Sequence, residues 1–68
     1  MNQELIGNRL RTLRGKRPRA EVCDYLGVSE NALYNWERGY RSPSDSMKVK
    51  IAFYYGKTVQ ELFFDGAE

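Results

Sequence analysis

RAEVCDYLGVSENALYNWER, residues 19–38, decides the fold. Its apolar residues Val22, Leu26, Leu33 and Trp36 recur at helical spacing on either side of Gly27, Val28 and Ser29, which break the pattern rather than continue it. Two short helices joined by a tight turn follow from this. Gly27 can take the left-handed conformation that ends the first helix, and the Ser29 hydroxyl can accept a bond from the free amides that open the second. Cys23 is small and falls where the two helices must pass closest.

Upstream, Ile6, Leu10 and Leu13 recur at four and three residues and mark a first helix over residues 3–14, with Gly15 as its stop. Lys16 and Arg17 form the connection. Pro18 suits the first turn of the second helix, where a missing amide costs nothing. That helix runs to Leu26 and the third from residue 30 to residue 38, closed by Gly39. Residues 39–43 read as a loop. Ser44 or Asp45 can cap a fourth helix that reaches Tyr55 and stops at Gly56. On a helical wheel Met47, Ile51, Ala52, Tyr54 and Tyr55 share one face, whereas Val49 and Phe53 fall nearly opposite. Thr58 starts a short fifth helix with Val59, Leu62 and Phe63 turned inward, and residues 65–68 read as a frayed tail. Strand signals, repeats and low-complexity segments are absent from the sequence. The expected fold is all-α, a compact bundle of five helices forming one domain over residues 1–64.

A chain of 68 residues buries only about 60% of its unfolded surface and is marginal alone, so dimerisation would help it. The lone Cys23 cannot form an internal disulfide, which fits a reducing cytosol. No apolar run approaches the roughly 20 residues of a membrane span, and the start MNQELIG lacks the regions of a signal peptide, so a cytoplasmic protein without a membrane partner is expected. With no histidine and one cysteine, the usual metal-ligand sets cannot be assembled and His-based activation of a nucleophile is absent. No phosphate-cradling glycine loop is present either. An enzyme is not expected, nor a cofactor, a metal or a small-molecule ligand.

The net charge of +2 says little, but its distribution is uneven. Arg9, Arg11, Arg14, Lys16, Arg17 and Arg19 fall within a stretch that contains no acid, whereas acids outnumber lysines from Ser42 onward. The basic N-terminal half therefore suggests a polyanionic partner. The third helix supplies groups for reading one. A helix fits the major groove of DNA, and side chains near its N-terminal end read sequence there by presenting directional donors and acceptors to base edges. Leu33 and Trp36 point to the core, which leaves Glu30, Asn31, Tyr34 and Asn35 outward as candidates to read bases. Asn31 and Asn35 project together, and an amide can pair bidentately with adenine. Glu30 could accept from cytosine, and Ala32 could touch a thymine methyl. Arg19 opens the second helix, where a cation beside the positive end of the dipole invites an anion such as phosphate. Arg17, Arg38, Tyr40 and Arg41 lie in the flanking loops and could grip neighbouring phosphates, which fixes register without reading sequence.

The unit that begins at Arg19 resembles the helix-turn-helix of the Cro/cI-like repressors, the Xre family. The matching features are the apolar Val22, Leu26, Val28, Leu33 and Trp36, the small Cys23 and the turn glycine Gly27. The flanks IGNRLRTLRG, ERGYRSP and KIAFYYGKTVQELFF agree as well, so the resemblance covers nearly the whole chain. It implies a lambda-repressor-like fold whose second and third helices form the helix-turn-helix. It also implies that Glu30, Asn31, Ala32 and Asn35 reach bases, and that Arg19 stands where the family usually has a backbone-binding glutamine. Arg14 and Glu37 match a partly buried salt bridge between helices one and three, which makes Glu37 structural. The first connection is about two residues shorter than is usual in the family, so a tight turn into the second helix is expected.

One helix in one groove makes few base contacts, and such domains commonly pair across half-sites about 34 Å apart. Val49 and Phe53, off the core face of the fourth helix, together with Phe64, offer apolar surface for a homodimer; the alternative is that the fifth helix simply covers Phe53. The function implied is a DNA-binding regulator of transcription, most simply a repressor on an operator, of a kind frequent in phages and bacterial mobile elements. Alternatives are the DNA-binding part of a toxin-antitoxin or restriction-modification control system, and a protein-interaction module that has kept the fold and lost DNA.

Overall fold

In the computed structural model, which describes residues 3–64, helices form where the apolar period and the capping residues agree. They are α1 (Gln3–Arg14), α2 (Arg19–Leu26), α3 (Glu30–Glu37), α4 (Asp45–Tyr55) and a single π-helical turn, α5 (Gln60–Phe64). No strand occurs among the described residues, and the expected tail at 65–68 lies outside them. No helix is long and apolar enough to cross a membrane.

The corner between α2 and α3 is built from local chemistry. Gly27 sits at φ 75°, ψ 34°, a conformation that a side chain would strain, and this lets the amides of Gly27 and Val28 both bond back to the Cys23 carbonyl at 2.7 and 3.2 Å. Ser29 then caps α3, accepting from the Ala32 amide at 3.1 Å, while the Cys23 thiol donates to the Ser29 carbonyl. Ser44 rather than Asp45 caps α4, through the Met47 amide. Thr58 and Glu61 bond reciprocally, side chain to backbone amide at 3.0 and 2.9 Å, and so open α5.

Three boundaries differ from those expected. Pro18 is extended and stands just before α2 instead of in its first turn; its carbonyl accepts the amides of Glu21 and Val22. The tight entry is held by Arg14, whose guanidinium donates to the Arg17 carbonyl while the Arg17 amide donates to the Arg14 carbonyl. At the far end of α3, Arg38 is the cap and not a helical residue. α5 begins at Gln60, two residues after Thr58, because Thr58 is spent on the cap.

The core is Ile6, Leu10, Val22, Cys23, Leu26, Leu33, Ile51, Ala52, Leu62 and Phe63, with Trp36 and Met47 packed partly buried against it. Two features of its assembly are absent from the apolar pattern. Gly7 is buried where α1 meets α3: a Cβ there would lie 2.4 Å from the Glu37 carbonyl oxygen. Lys48 is buried on the inner face of α4, its ammonium 5.6 Å from the Phe63 ring and 5.4 Å from that of Phe64. A lysine covers apolar surface with its stem in this way while its charge stays at the rim, here 3.7 Å from Asp45. Phe53, which α5 was the alternative candidate to cover, is 76% exposed.

Candidate nucleic-acid interface

α3 is fixed from behind and at both ends. Leu33 is buried in the core, and Glu37 is fully buried beneath α1. Its carboxylate accepts from Arg14 Nε at 2.7 Å and Arg14 Nη2 at 3.1 Å, and Arg19 Nε lies 3.4 Å away. Arg11 donates to the Glu37 backbone carbonyl at 2.8 Å and also bonds Asn8. A buried carboxylate is tolerable only when paired and hydrogen-bonded in this manner. The Arg14 pKa is raised, first by its hydrogen bond to Glu37, so the guanidinium holds its proton more tightly than a free arginine does. Past the helix, Gly39 and Tyr40 donate their amides to the carbonyls of Trp36 and Asn35 at 3.2 and 2.9 Å, and the Arg41 amide also reaches Asn35. These bonds satisfy the last turn and throw the loop back along the helix.

With its back so held, α3 turns Glu30, Asn31 and Tyr34 to the outside, exposed, while Ala32 and Asn35 are half-buried. Glu30 and Asn31 occupy the first turn, which carries the positive end of the helix dipole. Arg38, Tyr40 and Arg41 are exposed where the chain leaves α3.

The ring of Tyr34 gathers its neighbours. Arg19 of α2 and Arg38 of the loop each place a guanidinium carbon 5.5 Å from its centroid, and Tyr40 meets it edge-on at 6.3 Å. Tyr34, counted from the sequence among the base-reading candidates of α3, is thus in contact with two cations from different elements. The Arg38 pKa is raised, first through its hydrogen bond to Tyr34. Arg17 is exposed but is drawn elsewhere, over the rings of Tyr54 and Tyr55 at 5.4 and 5.7 Å.

The basic stretch at residues 9–19 is mostly internal wiring. Arg9 donates to the Glu61 and Leu62 carbonyls of α5, both at 3.1 Å, Arg11 and Arg14 serve Glu37, and Arg19 faces the same carboxylate. Glu37 supplies from within the fold an anion that the dipole beside Arg19 would otherwise seek outside. The charge surrounding α3 therefore comes from Arg19, Arg38 and Arg41 more than from the run as a whole. Arg11 could not be assigned from spacing, because its acceptor is a backbone carbonyl 26 residues away.

No group of three or more potential metal ligands occurs among the described residues. A shallow groove between α1 and α5, around Thr12, Leu13, Lys57 and Leu62, shares no residue with α3.

A family model described as helix-turn-helix matches residues 9–62. Among curated proteins the chain is similar to the cryptic phage CTXphi transcriptional repressor RstR of Vibrio cholerae, with 32% identity over 63 residues, 90% of this chain. It spans 57% of that relative's length. No solved structure gives a significant match.

Proposed function

The chain belongs to the helix-turn-helix family of the Cro/cI-like (Xre) type, and from that premise we propose that it regulates transcription as a repressor, occupying an operator in double-stranded DNA with α3 in the major groove. The observation that carries this reading is the sidedness of α3: Leu33 and Glu37 are locked inside while Glu30, Asn31 and Tyr34 are open to solvent. Glu30, Asn31, Ala32 and Asn35 read base edges, the asparagines by bidentate pairing with adenine. Arg17, Arg19, Arg38, Tyr40 and Arg41 contact phosphates and set the register. A repressor relative supports the sign of the regulation.

The regulator acts as a homodimer. Val49 and Phe53 lie one helical turn apart on α4 and are 59% and 76% exposed, with Phe64 of α5 at 49%. Apolar surface of that kind on so small a domain suits a second copy. The domain measures 32 × 23 × 22 Å, so two copies side by side can present their α3 helices about 34 Å apart, one turn of the duplex.

Selection of bound duplexes from a random pool tests the proposal, with a salt titration of the winning sequence. Binding weakens by about 0.9 log units per phosphate contact for each tenfold rise in salt, and Asn31→Ala or Asn35→Ala costs about 1–3 kcal/mol on the selected duplex and blurs its sequence preference. Asparagine variants that keep full discrimination would show that α3 is not the reader.

A further inference from the structure

Tyr34 stands apart from the other outward residues of α3, because its ring is already occupied. Arg19 from the start of α2 and Arg38 from beyond the end of α3 both lie 5.5 Å from its centroid, and Tyr40 packs edge-on against it. The two cations come from opposite ends of the helix-turn-helix and share one aromatic surface. A guanidinium over a ring keeps its N–H donors at the edge, free for an anion, while its plane is fixed. Both cations are gathered at one ring, and an anion within reach of the two is attracted by both charges. Arg19 is attracted from its other side by the Glu37 carboxylate, 3.4 Å from its Nε without a hydrogen bond, so two partners hold it near the ring. Within the proposed complex, the anion available to both is the DNA phosphate backbone beside the groove.

We infer that Tyr34 is a positioning residue: its ring holds Arg19 and Arg38 in a shared orientation for backbone phosphates, and it reads no base. The inference rests on the DNA-binding reading above and sharpens it, since it divides the outward face of α3 into a reading part, Glu30, Asn31 and Asn35, and a part that organises charge.

The test compares Tyr34→Leu and Tyr34→Phe with wild type on two probes, a duplex selected by the wild-type protein and a mixed-sequence duplex, across a salt series. Two exposed cation–π contacts convert to about five- to thirtyfold in affinity. Tyr34→Leu therefore weakens both probes by the same factor within that range and lowers the salt slope by about one to two, and a random-pool selection with it returns the wild-type base preference. Tyr34→Phe keeps the ring and gives up only the hydroxyl's bond to Arg38, so it stays closer to wild type than Tyr34→Leu does. In an Arg19→Ala, Arg38→Ala background, Tyr34→Leu has nothing further to lose. The inference is overturned if Tyr34→Leu changes the preferred bases, weakens the selected duplex alone, leaves the salt slope untouched, or adds its full effect in the double-alanine background. Tyr34 is 36% exposed and outside the core, so thermal unfolding of Tyr34→Leu stays close to wild type, which separates positioning from loss of fold. Wild-type protein that binds neither probe removes the DNA-binding reading and this inference together, before any variant is made.

Discussion

Gly7→Ala exchanges the poorest ordinary helix former for the best in the middle of α1, and by propensity alone it should stabilise the protein by up to about 1 kcal/mol. The packing requires the opposite. The added Cβ would stand 2.4 Å from the Glu37 carbonyl oxygen, 2.8 Å from its carbonyl carbon and 3.0 Å from the Trp36 oxygen. All three atoms belong to the backbone of α3, and none can rotate away. Since ordinary contact begins near 3.4 Å, α1 and α3 must part by about an ångström. That separation stretches the bonds that cross the same seam, Arg14 to the Glu37 carboxylate at 2.7 Å and Arg11 to the Glu37 carbonyl at 2.8 Å. Overpacking costs about 1–3 kcal/mol by itself, and the weakened ion pair adds to it. We expect a net loss of about 2 kcal/mol, which in a domain of this size lowers Tm by roughly 8–16 °C. Urea unfolding followed by circular dichroism and by Trp36 fluorescence measures it, with Thr12→Ala on the exposed side of α1 as the control. A Gly7→Ala protein as stable as wild type would show that the two helices do not approach as closely as described.

Glu37→Gln keeps the shape but leaves Arg14 and Arg19 facing a neutral amide in a buried site, and breaking such a pair costs about 3–5 kcal/mol. Thermal denaturation should find the variant largely unfolded near the growth temperature of a mesophile; a melt like wild type would remove the ion pair from the stability of the fold. Burial pushes the Tyr55 phenol up to about 12, and its hydroxyl has no protein hydrogen-bond partner. The folded state therefore holds this proton more tightly than the unfolded state, so its contribution is intact below about pH 10 and is lost as pH rises from there to about 12. Tyr55→Phe should match wild type at neutral pH and lose less stability across that alkaline window, and parallel curves for the two proteins would contradict the assignment. Phe53→Lys places a charge on a side chain that is 76% exposed and should change monomer stability by no more than about 0.5 kcal/mol. If the apolar face of α4 joins two copies, the substitution shifts sedimentation equilibrium to the monomer; a wild-type protein that is monomeric with and without DNA would dispose of the homodimer.

The readable parts of this sequence were those whose physics is local. Ser29, Ser44, Gly27 and Gly56 act on amides and carbonyls within a few positions of themselves, so the ends of α2, α3 and α4 could be placed from residue identity. Where two local signals competed, the boundary moved: Pro18 served before the helix and not in it, because its fixed φ suits both places. Gly7 gave no signal, since its necessity belongs to the backbone of α3. Lys48 did give one, for Lys48, Ile51, Ala52 and Tyr55 follow the i, i+3, i+4, i+7 rule. Its charge concealed the match, because sequence alone does not show that Phe63 and Phe64 accept the stem. The arginine-rich stretch was legible in sign and misleading in purpose, as acceptors on α3 and α5 take up Arg9, Arg11 and Arg14. At the candidate site, periodicity placed Glu30, Asn31 and Tyr34 outward as found, whereas Asn35 is half-buried, and the meeting of Arg19, Tyr34 and Arg38 required three elements to be in place.

The eight residues of α3 make a rod of about 12 Å, far below the length at which a helix persists in water by itself. Its helicity and its direction must therefore come from outside. At one end Ser29 closes the first turn while the Cys23 thiol holds the Ser29 carbonyl; at the other, Arg11 takes the last carbonyl and Arg14 the carboxylate beside it. The same residue, Glu37, thus terminates the helix, ties it to α1 and restrains Arg19, which stands next to the exposed face. If α3 reads DNA as proposed, stability and recognition are coupled through one buried carboxylate. A change at the α1 seam too small to unfold the domain still tilts the rod that presents Asn31 and Asn35, and it should reduce discrimination between DNA sequences before it reduces helix content.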